Sequence, residues 1–173
     1  MDLTLTHNTP LNTEFVRPDG VALYSTSTPH KLSGQTTKIL KYTIGDGPDA
    51  KGSMDETARI NWHYIGPTQI IYKGEKLEVD KFLPKTGKLT DTRSFIAPNG
   101  QTYRWKIGIA PYLETADSKR VATYHPGSIL TGKKARVEVD VSVLDFIDLV
   151  IITWVYMEKT NRDHGGALVG SAA

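Results

Sequence analysis

The segment with the most distinct chemical character is Tyr103-Arg104-Trp105-Lys106. On an extended strand its two cations face one way and its two aromatics the other. An arginine can bind a phosphate through two parallel hydrogen bonds, and a lysine adds a point charge. Further charge comes from Lys119-Arg120 and from Lys133-Lys134-Ala135-Arg136. The expected ligand face is therefore Arg104, Lys106, Lys119, Arg120 and Arg136, and the expected ligand is an anionic lipid headgroup or another small phosphate-bearing anion. The plainer alternative is a solvated strand face whose charges have no ligand.

Other reactive residue types form no recognisable constellation. The histidines at 7, 30, 63, 125 and 164 are scattered, with no His-x-His or His-Glu-x-x-His pair to put two metal ligands on one face. No Gly-x-Ser-x-Gly elbow surrounds a serine, and neither Gly45-Asp46-Gly47 nor Gly127 to Lys133 matches a phosphate-binding P-loop. Asp55-Glu56 reads as a solvated run in a loop. Asp145 and Asp148 lie three apart at an expected helix start, where the helix dipole accounts for them better than a glycosidase pair. Trp62, Trp105 and Trp154 could line a sugar pocket, but period-2 alternation makes Trp62 and Trp105 core residues. No metal and no cofactor is expected.

Composition sets the frame for these residues. The chain of 173 residues suits one domain, with 39% apolar and 23% charged residues. A net charge of +2 does not point to nucleic acid. The absence of cysteine excludes disulfides, a thiol nucleophile and thiolate zinc sites. Residues 1–7 contain no basic region followed by an apolar run, so no secretory leader is expected. The apolar stretch Phe146 to Met157 is shorter than the roughly 20 residues that span a bilayer. The expected location is the cytoplasm, with peripheral attachment to membranes open to a chain carrying a basic face.

Up to about Val141 the sequence reads as ten to twelve short strands separated by turn signals, the spacing of a sandwich or barrel. Asn99-Gly100 between two alternating segments predicts a type I′ hairpin. A second hairpin is expected around Gly74, from 69–73 to 76–80. The Gly/Asp/Pro cluster from Gly45 through Ser53 is expected to be a long loop. Leu144 to Arg162 is apolar on nearly every face, with acids at its start and Lys159, Arg162 and His164 at its end. Its β-branched run Val150-Ile151-Ile152-Thr153 also suits a strand, but length and end chemistry favour a helix. Ser142 is the expected cap, Gly165-Gly166 the expected stop, and 165–173 a flexible tail. A helix apolar all round must be wrapped by protein. The expected fold is one domain, 1–164. It is a closed or nearly closed antiparallel β-barrel of about 12 strands around a central hydrophobic C-terminal helix at 144–162.

Ordered features along almost the whole chain resemble an uncharacterised family of small proteins of mushroom-forming fungi. They are Asn8 to Thr13, Leu23 to Pro29, Ala58 to Trp62, Arg93-Ser94-Phe95, Gly100 to Lys106, and Leu144-Asp145 leading to Val155-Tyr156-Met157-Glu158-Lys159. The Tyr-Arg-Trp-Lys strand and the closing apolar helix are also similar to the tubby-like group, which includes phospholipid scramblase-like and LURP-one-like proteins. That resemblance implies a 12-stranded barrel around a central helix, and phosphoinositide binding through basic residues on the barrel. The expected function is an intracellular, non-enzymatic binding protein. The alternatives are a glycan-binding or defence protein, or an enzyme with a rim site.

Overall fold

The computed structural model describes residues 1–29, 34–43, 52–63, 65–87, 91–128 and 130–170. Among these residues twelve strands form one antiparallel sheet. They are β1 (Asp2–Leu5), β2 (Thr13–Val16), β3 (Ala22–Ser27), β4 (Gln35–Thr43), β5 (Ser53–Trp62) and β6 (Gln69–Tyr72). They continue as β7 (Glu75–Glu78), β8 (Arg93–Ile96), β9 (Thr102–Lys106), β10 (Tyr112–Thr115), β11 (Arg120–His125) and β12 (Arg136–Val139). A short helix α1 (Val79–Phe82) follows β7, and a 3-10 turn (Val141–Phe146) leads into the long helix α2 (Ile147–Gly170). The sheet order is β7-β6-β5-β4-β3-β2-β1-β12-β11-β10-β9-β8. It is two meanders of sequential neighbours, joined where β1 pairs with β12.

Alternation selects the inner face. Leu3 and Leu5 on β1, Phe15 on β2, Tyr24 on β3, Ile60 on β5 and Val137 on β12 are all buried. They pack with the apolar side chains of α2 in one core. The sheet reaches the helix from widely separated strands. Phe15 of β2 and Tyr124 of β11 meet Trp154 at ring-centroid distances of 5.5 and 5.3 Å. Trp62 of β5 stacks on Tyr156 at 5.7 Å. The indole N–H of Trp105 on β9 donates to Thr153 Oγ1 at 2.9 Å, and that hydroxyl donates to Leu149 O. The sheet is curled around α2 like a barrel.

The expected closed barrel needs one correction: the two ends of the sheet, β7 and β8, are not hydrogen-bonded to each other. The seam is bridged by α1 and the segment after it. Thr86 N–H donates to Thr92 O at 2.8 Å, and Ser94 N–H donates to Pro84 O at 3.1 Å. Arg93 lies buried across this join. Its guanidinium donates to Asp80 Oδ1 at 2.9 Å and to Leu83 O at 2.7 Å, and sits 5.3 Å from the ring centre of Tyr156. Short edges covered in this way do not offer themselves to another chain's strand.

Other expectations are corrected locally. At Pro98-Asn99-Gly100 only Gly100 has positive φ (76°), and Gly100 N–H donates to Ala97 O. This is a three-residue loop with glycine in the left-handed position, not a type I′ turn. The two-residue loop with positive φ at both positions is Lys73-Gly74, at 50° and 80°. Ser53 opens β5 rather than ending a loop, and residues 44–51 of that expected loop lie outside the described residues. Val79 and Asp80, expected in a strand, are in α1. Ser142 is not the cap: it lies inside the 3-10 turn that leads into α2, and that turn is capped by Asp140, which accepts from Ser142 N–H. Gly165-Gly166 does not end α2, which runs to Gly170. Trp62 is only partly buried, unlike Trp105. No described helix is long and apolar enough to cross a membrane.

Burying large apolar side chains of α2 contributes roughly 1.5–3 kcal/mol each. Ile151 is fully buried. Ile151→Asp places an unpaired charge there and should destabilise the protein by about 4 kcal/mol or more. Urea unfolding checks this: a midpoint equal to the parent's would contradict the central position of the helix.

Candidate functional site

The inner aromatics of β9 fix the direction of its cations. Tyr103 and Trp105 are buried, Tyr103 packs on Phe146 with centroids 5.1 Å apart, and Trp105 is bonded to α2. Arg104 and Lys106 therefore stand on the outer face, each about one-third exposed in its side chain. On β10, Glu114 is the register partner of Arg104, and Tyr112 is the partner of Lys106. Glu114 Oε1 lies 3.1 Å from Arg104 Nη2 and 3.7 Å from Lys106 Nζ. The glutamate is only 5% exposed, so the two cations compensate the desolvation of its carboxylate. Arg104 Nη2 also donates to Ala116 O at 3.2 Å, while its Nε is buried without a hydrogen-bond partner.

A bulge between Leu113 and Glu114 sets the other flank. It skips Val121, so Glu114 faces Arg120 on β11. Arg120 is exposed, and its guanidinium carbon lies 4.0 Å from the ring centre of Tyr112. Among the described residues it has neither a carboxylate partner nor a hydrogen bond. Arg104 and Lys106 thus gather around one carboxylate, and Arg120 stands opposite it in register with its guanidinium on Tyr112. The other two predicted cations are drawn elsewhere. Lys119 Nζ is 3.9 Å from Asp140, whose carboxyl is held below the ordinary range chiefly by the hydrogen bonds from Ser142. Arg136 pairs with Asp2 at 2.6 Å and Glu138 at 3.3 Å, and Glu138 also meets His125 at 3.0 Å. Sequence reasoning missed Glu114 and Tyr112 because β10 has four residues, between Pro111 and the turn at 116–119, and was not anticipated. The alternation of Tyr112 and Glu114 with Leu113 was the available signal.

Ionisable groups also meet both ends of α2. At its start, Asp148 pairs with Lys41 at 2.8 Å and accepts a short hydrogen bond from the Tyr24 hydroxyl. Burial, followed by the interaction with Asp148, pushes the Tyr24 phenol far above its ordinary range. Further along, Glu158 is 3% exposed; its Oε1 accepts from Arg162 Nε at 2.6 Å and its Oε2 has no partner. Burial raises the Glu158 carboxyl pKa, and Arg162 only partly offsets this. Arg162 also donates to Asn8 O at 2.8 Å and to the Tyr124 hydroxyl at 3.0 Å. The described histidines stay apart: His7 meets Thr6, His125 meets Glu138, and His164 lies 3.5 Å from Asp91. His30 is outside the described residues. Among the described residues no three His, Asp or Glu side chains are grouped to hold a metal ion.

These features define a class: an antiparallel sheet curled around its own apolar helix, with an outer face where two cations cover a carboxylate and a third stands beside them on a tyrosine ring. The chain belongs to a family of unknown function, DUF6593, whose model matches residues 8–163. No curated protein and no solved structure matches it.

Two outcomes follow from the electrostatics. Arg104→Ala/Lys106→Ala strands Glu114 and should cost about 2 kcal/mol, allowing for solvent access to the cations. Adding Glu114→Gln should recover at least half of that in urea unfolding; no recovery would mean that the carboxylate is not what the cations serve. Glu158 binds its proton more tightly folded than unfolded, so its contribution is fully present below the ordinary value of 4.5 and is lost as pH rises through the raised value. As pH rises above 4.5, the stability of the parent relative to Glu158→Gln should therefore fall. A difference independent of pH would contradict this.

Proposed function

We propose that the protein is a non-enzymatic binding module that takes a phosphate-bearing ligand on the outer face of β9, β10 and β11. The observation that carries this reading is that Arg104 and Lys106 flank Glu114 on the outer face while Arg120, opposite Glu114 in register, has no carboxylate partner among the described residues. Arg120 supplies the point of attachment. Its guanidinium is braced by Tyr112, and its N–H donors are not used by the protein's described residues. Arg104 and Lys106 hold Glu114 and set the local field, while Lys119 and Arg136 are occupied by carboxylates of their own. An anion binding here meets a preorganised fork plus two fixed charges.

Phosphate chemistry is shared by lipid headgroups and soluble phosphates. The resemblance of the Tyr-Arg-Trp-Lys strand and closing helix to the tubby-like group supports the lipid, and with it a cytoplasmic protein attached peripherally to membranes.

The direct experiment is co-sedimentation with vesicles of phosphatidylcholine alone, with phosphatidylserine, or with a phosphoinositide, alongside calorimetric titration with soluble inositol hexakisphosphate. Binding to anionic vesicles should weaken as salt rises, because exposed charges are screened over about 10 Å at 0.1 M. Arg120→Ala should reduce it about ten-fold without shifting thermal unfolding. Binding of the soluble phosphate without vesicle binding would identify a free ligand. No binding to any anionic probe at low salt would sink the proposal.

A further inference from the structure

A second concavity lies away from the basic face, separated from it in the sheet by β3, β2, β1 and β12. It has a volume of about 210 Å³ and opens where the end of β5 and the start of β4 meet the later turns of α2. One wall is aromatic: the rings of Trp62 and Tyr156 stack with planes 7° from parallel. Trp62 is held in place by its own N–H, which donates to Thr37 Oγ1 at 2.8 Å. Tyr156 is held from the other side of the seam by Arg93. Both rings of the wall are thus braced by other parts of the protein.

Beside Thr160 of α2, whose hydroxyl donates to Tyr156 O at 2.9 Å, the lining has three uncharged polar side chains: Gln35 on β4, His63 just after β5 and Thr68 just before β6. None of the three has a side-chain hydrogen bond or ion pair among the described residues. An amide, an imidazole and a hydroxyl together offer both donors and acceptors. The charged groups at the rim cancel. Lys159 Nζ is paired with Asp163 at 2.5 Å and lies 4.8 Å from the centre of the Trp62 ring. A concave site with an aromatic wall and a few convergent, unspent polar groups is the usual form of a small-ligand site.

We propose that this cleft binds a neutral polyhydroxylated ligand, one sugar ring of a glycan. The ring's C–H edges would pack on the exposed part of Trp62, which the buried Tyr156 backs, and its hydroxyls would supply the partners that Gln35, His63 and Thr68 lack. An anion is disfavoured because the one lysine of the lining is already neutralised by Asp163. The site is independent of the phosphate-binding reading, in position and in ligand charge.

Trp105 and Trp154 are fully buried, so Trp62 is the tryptophan that a ligand can touch. The test is an array of neutral glycans, followed by fluorescence titration with chitobiose, cellobiose, lactose and mannobiose. Binding of at least one neutral glycan is expected, with a change in emission that is absent in Trp62→Phe. Gln35→Ala/His63→Ala should weaken it about ten-fold at unchanged thermal stability, while Arg120→Ala should leave it intact. Absence of binding to every neutral glycan would overturn the proposal. So would binding that survives Gln35→Ala/His63→Ala. Selective binding of phosphorylated or acidic glycans, lost in Arg120→Ala, would also overturn it and return the ligand to the basic face.

Discussion

From Leu149 to Met157 every side chain of α2 is buried, so this stretch of helix offers no face to water, and a flat sheet could cover only one side of it. The twelve strands meet that demand by curling. Strands from both meanders supply inward residues to the helix, which is why Trp154 meets Phe15 of β2 and Tyr124 of β11 at once. The polar atoms this stretch carries inward are few. The Thr153 hydroxyl is turned back onto the Leu149 carbonyl and also receives the Trp105 N–H, so one strand is tied to the helix by a directional bond as well as by packing. The outer faces inherit their geometry from this arrangement, because an inward Trp105 forces an outward Arg104 and Lys106.

The seam is the other half of the same constraint. A sheet that surrounds a helix must bring its first and last strands near each other, and here β7 and β8 meet through intermediaries. Arg93 reads both sides of the join, bonding to α1 beyond β7 while lying against Tyr156 of the helix. That position also shapes the aromatic cleft, since Tyr156 is shared between Arg93 and Trp62. Stability and the candidate sugar site thus use the same ring.

Much of the fold was legible because its strongest signals are periodic. Alternation at Ala58 to Trp62 and at Tyr103 to Lys106 identified strands and their inward residues, and the long, mainly apolar run after Val143 identified a helix needing cover. The features missed are those that depend on partners. The turn at Asn99-Gly100 has the composition of one type and the conformation of another, since Pro98 with its fixed φ enters the loop and leaves only Gly100 to take positive φ. The glycine pair at 165–166 could not show that α2 would continue past it. Glu114 was invisible as a site residue because its meaning comes from cross-strand register, and the bulge that sets Arg120 opposite it has no sequence signature. The face around Arg104 was therefore read correctly for direction and not for charge balance. The cleft at Trp62 was underestimated because alternation marks that residue as inward without showing that the end of β5 runs out beside an open rim.

The order of elements along the chain has a consequence for synthesis. All twelve strands precede the helix they enclose. During translation the two meanders leave the ribosome with their apolar inner faces uncovered, and the residues that will fill them are still in the exit tunnel. Local hairpins can form at once, but the sheet cannot close on a filled core until α2 emerges. The interval before that is the chain's most vulnerable moment, when a chaperone or a neighbouring nascent chain would compete with the helix for the same surface.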